Sequence, residues 1–84
     1  MIDYKIKDIT LDERLDITDK YNKDANALRT NVSTLRETLT KLGDVIITDE
    51  NRDQEINKLS SENINIMGYE IAGKINHFQD KKKQ

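Results

Sequence analysis

The feature that most constrains this chain is a run of apolar residues in its first half, spaced alternately by four and three positions. The run comprises Tyr21, Ala25, Leu28, Val32, Leu35, Leu39 and Leu42. The spacing repeats every seven residues and places these side chains in one stripe along a helix. The chain contains no proline, the residue that most strongly interrupts a helix. The pattern predicts one long helix over about 11–42, with a coiled-coil seam.

Capping signals stand at both ends of this predicted helix. Thr10 precedes Glu13 by three positions, the spacing of a capping box in which the two side chains bond each other's backbone amides. Gly43 directly follows Leu42, where a left-handed glycine commonly ends a helix. These signals indicate a helix that begins near Leu11 and ends at Leu42.

The rest of the chain divides into an arm, a connector, a second helix and a tail. Residues 1–9 alternate apolar and polar side chains, which predicts an extended arm. Residues 43–48 are rich in β-branched side chains and are expected to form a connector. A second apolar stripe predicts a helix over about 49–80, and the low helix propensity of glycine permits a break near Gly68. Residues 81–84 are expected to form a basic tail. The second stripe consists of Ile56, Leu59, Asn63, Met67, Ile71, Ile75 and Phe78.

Two long helices joined by a short connector predict an all-α helical hairpin. A chain of 84 residues with 35% apolar residues forms one domain with a small core, and the hairpin leaves much of each stripe exposed. We therefore expect self-association as a coiled coil or a four-helix bundle, with the two stripes as the interface. Asn63 either fixes the register of that interface or marks a turn that the stripe skips.

Composition argues against several functional classes. There is no cysteine, which excludes disulfides, thiolate zinc sites and cysteine nucleophiles. The single histidine, His77, is interpreted as a helix-terminal residue, and no catalytic, cofactor-binding or metal-binding residue is predicted. A net charge of −2 makes nucleic-acid binding unfavourable, apart from a weak contribution of the lysines in 81–84. No apolar run is long enough for a membrane span, so we expect a soluble protein, cytoplasmic or in a virion rather than secreted.

One face of the first predicted helix carries short uncharged side chains instead of the usual glutamate and lysine. Its members are Thr30, Asn31, Ser33, Thr34, Thr38 and Thr40. Such a face can dock a second partner without burying charge, although compositional drift on a solvated surface explains it equally well.

These patterns predict a non-catalytic module for protein–protein interaction. The leading hypothesis is a homo-oligomeric structural or assembly component, such as part of a viral or phage particle, that binds itself and a second protein. The alternative is a small regulatory inhibitor or adaptor that presents one helical face to a host enzyme or a nucleic-acid machine. No small-molecule substrate or cofactor is expected under either hypothesis.

Overall fold

The computed structural model describes the backbone of residues 2–83 and the side chains of residues 2–75. This part of the chain forms four helices and one antiparallel sheet of three strands. In chain order the elements are β1 (Tyr4–Ile6), α1 (Leu11–Lys23), α2 (Ala27–Thr38), β2 (Leu39–Leu42), β3 (Val45–Ile46), α3 (Arg52–Asn57) and α4 (Ser61–Lys83). The predicted all-α helical hairpin is therefore wrong, and so is the coiled-coil architecture that depended on it. The domain is a mixed α/β fold.

The first break in the predicted helix over 11–42 lies between α1 and α2. Asp24 caps α1 in an extended conformation, with φ −96° and ψ 121°. Its carboxylate accepts a hydrogen bond from the Asn26 N–H at 2.9 Å, and the Asn26 side chain accepts one from the Arg29 N–H at 3.0 Å. Short polar side chains of this kind compete with the helical hydrogen bonds, which explains why the chain ends one helix here and begins another. Ala25, a predicted seam residue, lies in this break and is exposed.

The second break follows Thr38, where the chain leaves α2 and enters a β-hairpin. Gly43 and Asp44 form the two-residue turn between β2 and β3. Gly43 has φ +59° and is the one residue of the described chain with a positive φ. Positive φ at the first central residue alone defines a type II′ turn, whose twist suits a hairpin. The positive φ expected of Gly43 is present, but it belongs to a hairpin turn and not to the end of a helix.

The sheet has β2 at its centre, with antiparallel neighbours on both sides. In the pairing of β1 with β2, Lys5 lies opposite Lys41 and Ile6 lies opposite Leu39, so Thr40 has no partner residue on β1. Thr40 is therefore the extra residue of a β-bulge, and its hydroxyl donates to the Lys5 carbonyl at 3.2 Å. The extended conformation predicted near the amino terminus is present here, as an edge strand.

The predicted helix over 49–80 is also divided. Its break lies at 58–60 between α3 and α4, and Gly68 is in the interior of α4, so the break that was considered near Gly68 is absent. The Ser60 hydroxyl accepts a hydrogen bond from the Asn63 N–H at 3.1 Å, which is the contact of a helix amino-terminal cap. Thr48 and Asn51 bond each other's backbone amides before α3, at 2.8 and 3.3 Å.

A single hydrophobic core lies between the helices and the inner face of the sheet. The buried apolar side chains are Ile17, Leu35, Leu39, Leu42, Ile47, Ile56, Ile64, Met67, Ile71 and Ile75. The most extensive contact between two elements is that of α2 with α4. Within the described residues, no helix combines the length and the hydropathy that crossing a bilayer requires.

Candidate interaction surface

The structure divides the first predicted interface stripe between core and surface. Leu35, Leu39 and Leu42 are buried, and Tyr21 and Val32 are half-buried against the same core. Leu28 and Ala25 are exposed. From Val32 onward the seam therefore packs against elements of its own chain, and its amino-terminal end remains at the surface.

The second predicted stripe is used in a similar way. Ile56, Met67, Ile71 and Ile75 are buried, and Leu59 is half-buried. Asn63 is half-buried in the first turn of α4, where its backbone N–H donates a hydrogen bond to the Ser60 hydroxyl. The side chain of Phe78 and that of His77 lie outside the described residues. Three core residues, Ile17, Ile47 and Ile64, belong to neither predicted stripe.

Most of the uncharged polar face of α2 is buried, and Asn31 places it against α4. Thr30, Asn31, Thr34 and Thr38 are each at most 2% exposed. Ser33 is half-buried and Thr40 is the bulged residue of β2, so these two lie outside the contact. The buried part of this face contacts its own chain, at Asn65 of α4 through Asn31 and at Tyr21 of α1 through Thr34.

A hydrogen-bond network joins this face to α1 and α4. The Tyr21 hydroxyl bonds the side-chain oxygen of Asn31, and the Asn31 amide donates to the side-chain oxygen of Asn65 at 2.8 Å. The Tyr21 hydroxyl also lies 3.2 Å from the carbonyl of Gly68 and accepts from Thr34 at 3.2 Å. Burial raises the pKa of Tyr21, while the bond from Thr34 opposes that rise. Because its polar atoms have partners, the network fixes the relative positions of three helices.

The Tyr4 side chain attaches β1 to α4. Its hydroxyl donates to the Glu70 carboxylate at 2.7 Å, and the Lys74 amine lies 5.9 Å from the centre of its ring. Burial, and then the bonded Glu70 carboxylate, raise the pKa of Tyr4 well above its usual value. The strand is thus held by its side chains as well as by its pairing with β2.

The two edges of the sheet differ. At the β3 edge, the Ile46 carbonyl accepts a hydrogen bond from the Asn51 side chain at 3.0 Å. At the β1 edge, the Asp3 carbonyl accepts from Gly43 at 2.7 Å and the Lys7 amide donates to Thr38 at 2.9 Å, so odd-numbered residues direct their backbone groups toward β2.

Strand alternation then directs the amides and carbonyls of Tyr4 and Ile6 away from β2. Among the described elements, β2 is the one with which β1 makes extended contact. Within the sheet, the outer edge of β1 therefore has no neighbouring strand.

Exposed apolar side chains are dispersed over the described surface. Leu11 and Leu15 lie one turn apart on α1, Ile66 and Tyr69 lie on α4, and Ile46 is the most exposed of the group at 69%.

Charged side chains form ion pairs that connect the helices. Lys20 on α1 lies 2.8 Å from Glu37 on α2 and 3.2 Å from Asp16, and the Glu37 contact raises the pKa of Lys20. A groove of about 400 Å³ beside β1 contains Lys7 and Lys74, but Lys7 pairs with Glu13 and Lys74 lies over the Tyr4 ring. Their positive charge is therefore engaged inside the chain.

The chemistry of the described residues gives no metal centre. Residues 2–75 bring together no group of three histidine, cysteine or carboxylate side chains that could hold a metal ion. The outer edge of β1 consists of backbone groups. Side chains affect it only because their packing holds the strand in place. No protein-family model, curated protein or solved structure matches this chain.

Proposed function

We propose that this chain is a non-catalytic protein-binding module of a larger assembly, and that it binds through the open edge of β1. The observation that carries this proposal is the difference between the two edges. The Asn51 side chain donates to the outward carbonyl of Ile46, whereas Tyr4 and Ile6 lie on an edge strand that pairs with β2 on one side only. Unpaired strand groups of this kind form a ladder with an extended segment of another protein.

The β1 edge is also well ordered for such a role. Backbone bonds to Gly43 and Thr38 hold its two ends, and the Tyr4 hydroxyl bonds Glu70 near its middle. A strand that is already fixed loses little conformational entropy when a partner pairs with it. Backbone pairing supplies affinity, and the exposed side chains of Asp3 and Lys5 supply charge selectivity.

Backbone methylation tests this proposal, because it removes one N–H group and leaves the side chain unchanged. The full chain would be synthesised with an N-methyl group at Tyr4, whose amide points outward. The matched control carries the methyl group at Ile46, on the opposite edge of the same sheet. Circular dichroism melting would establish that both variants fold.

Affinity capture from lysate of the source cells, read by mass spectrometry, then compares these chains. We expect a defined protein to be retained by the unmodified chain and by the Ile46-methylated chain, and to be lost with methylation at Tyr4. If all three chains retain the same proteins, binding does not use the β1 edge and the proposal is wrong.

The regulatory alternative has its own supporting feature on α2. An open groove of about 480 Å³ is lined by exposed Leu28 and half-buried Val32, with Arg29 and Arg36 beside them. An apolar side chain of a host protein would fit between Leu28 and Val32, while Arg29 and Arg36 pair with Asp24 and Asp53 of the same chain. Under this hypothesis, Leu28→Asp abolishes capture of one stoichiometric partner while methylation at Tyr4 has no effect.

A further inference from the structure

We infer that the β1 edge pairs with β1 of a second copy of this chain, antiparallel and centred on Tyr4, to join two three-stranded sheets into one. This inference rests on the proposed function, because it names the partner of the same edge. It commits to a symmetric dimer in which each chain contributes the same strand. The argument has two parts, the direction of the backbone groups and the charge of the side chains.

The backbone limits which registers are possible. In an antiparallel pair, residues that exchange hydrogen bonds must both point toward the partner. On β1 and its continuation these are the even-numbered residues Ile2, Tyr4 and Ile6, because odd-numbered residues bond β2. Centres at Asp3, Tyr4 and Lys5 are those at which two or more of these residues on each chain pair with one another.

Charge selects among these three centres. Centred on Asp3, the strands place that carboxylate opposite the partner's Asp3. Centred on Lys5, they place two lysines opposite each other, beside a sheet in which Lys5 already faces Lys41. Centred on Tyr4, they place Asp3 opposite the partner's Lys5 at both ends of the strand. Opposite charges directly across a strand pair attract and like charges repel, so the Tyr4 register is favoured.

The same register is complementary on the inner face of the sheet. Ile2 lies opposite the partner's Ile6, and the two Tyr4 side chains lie opposite each other at the axis. Ile2, Tyr4 and Ile6 are each half-buried against the core, so part of each side chain remains accessible. The strand therefore carries apolar residues on one face and alternating charge on the other, a pattern that is complementary to itself in this register.

Charge reversal tests the register without weakening the fold. Lys5→Glu places a carboxylate opposite the partner's Asp3 at both ends, and we expect the dissociation constant of the dimer to rise at least about tenfold. Within its own sheet, Lys5→Glu replaces a lysine that faces Lys41, so an unlike pair forms and the single chain is not destabilised. Combining Asp3→Lys with Lys5→Glu should restore the dissociation constant to within a few-fold of the original.

The matched control is Lys41→Glu, which makes the same charge change on β2, one strand away from the edge. We expect it to alter dimerisation much less than Lys5→Glu does. Sedimentation equilibrium of the full chain over a concentration series measures all four proteins. A dimer that is insensitive to Lys5→Glu, or that the double reversal fails to restore, overturns the Tyr4 register.

Hydrogen exchange supplies an independent readout at the edge. The amides of Tyr4 and Ile6 should become protected as concentration rises, while the Lys7 amide, already bonded to Thr38, should not change. A chain that stays monomeric, with Tyr4 and Ile6 exchanging at a constant rate, overturns the second copy as partner. If such a monomer still captures another protein in a manner sensitive to Tyr4 methylation, the proposed function is supported and this inference alone fails.

Discussion

Gly68 is the position at which one added carbon should most disturb the packing of α2 against α4. A Cβ atom built on Gly68 would lie 2.2 Å from the side-chain oxygen of Asn31, 2.5 Å from its Cγ and 2.6 Å from its Cβ. Asn31 is fully buried and is bonded to Tyr21 and Asn65. Rotation of the Asn31 side chain cannot relieve a contact that includes its Cβ, so Gly68→Ala must move the helices apart.

The size of the effect follows from three contributions. Replacing glycine by alanine inside a helix stabilises it by about 1 kcal/mol. Overpacking a tight contact costs about 1 to 3 kcal/mol. Displacing Asn31 from Tyr21 or Asn65 leaves buried polar groups without partners, at about 1 to 3 kcal/mol. The sum predicts that Gly68→Ala lowers the free energy of unfolding by roughly 1 to 5 kcal/mol.

Gly73 provides a matched control five residues further along the same helix. It is exposed, and a Cβ atom built on it meets nothing within 4 Å. Gly73→Ala should therefore raise the free energy of unfolding by about 1 kcal/mol. Urea denaturation followed by circular dichroism compares the two variants. If Gly68→Ala stabilises the chain as much as Gly73→Ala does, the close approach of α2 and α4 at Asn31 does not exist.

Three further predictions concern the turn, the tyrosine of β1 and the first helix cap. Gly43→Ala should lower the free energy of unfolding by about 1 kcal/mol, because φ +59° is unfavourable for a residue with a Cβ atom, and a rise in the melting temperature would contradict the type II′ turn. Because the folded chain raises the pKa of Tyr4, the unfolded chain loses that proton first, at about pH 10, so stability should fall as the pH rises above that value. Tyr4→Phe should flatten this alkaline fall in urea denaturation, and an unchanged slope would exclude Tyr4 as its source. Thr10→Ala should cost about 1 kcal/mol through loss of the cap to Glu13, whereas Thr10→Ser should restore most of it, as thermal melting can measure.

Local signals in the sequence were read correctly where neighbouring residues determine the structure. The capping box of Thr10 and Glu13 is present with both of its hydrogen bonds. The positive φ of Gly43 is present as well. A cap or a tight turn depends on a few adjacent residues, so it can be recognised without knowledge of the fold.

The helix predicted from the heptad spacing is wrong at its carboxyl end because of a β-bulge. The bulge places two strand residues that are three apart on the same face, as a helix would. In a regular strand, residues three apart point to opposite faces, whereas in a helix they share one. Thr40 is the extra residue between Leu39 and Lys41, so Leu39 and Leu42 are both buried although they lie three apart in a strand. The pair Gly43-Asp44 is a known hairpin signal that was interpreted as a helix end and a connector.

The open strand edge could be predicted only in part. The alternation of Ile2, Tyr4 and Ile6 is visible in the sequence and indicates an extended segment. Whether an edge stays open depends on which strand pairs with it, and β2 begins more than thirty residues later in the chain. The contact of Asn51 with Ile46 is likewise set by the path of the chain after the hairpin. Non-local pairing of this kind leaves no periodic signal in a single sequence.

Two faces of α2 already pack inside the chain, which limits the surfaces at which an assembly contact can form. Its apolar seam contributes Leu35 to the core, and its uncharged face places Asn31 against α4 and Thr34 against Tyr21 of α1. A second chain could reach these side chains only by separating α2 from α4, and this would disrupt the hydrogen bonds of Tyr21 and Asn31. Self-association through the buried part of the seam would therefore compete with folding. Pairing at β1 adds hydrogen bonds without removing any, so an assembly role for this domain is compatible with a stable single chain.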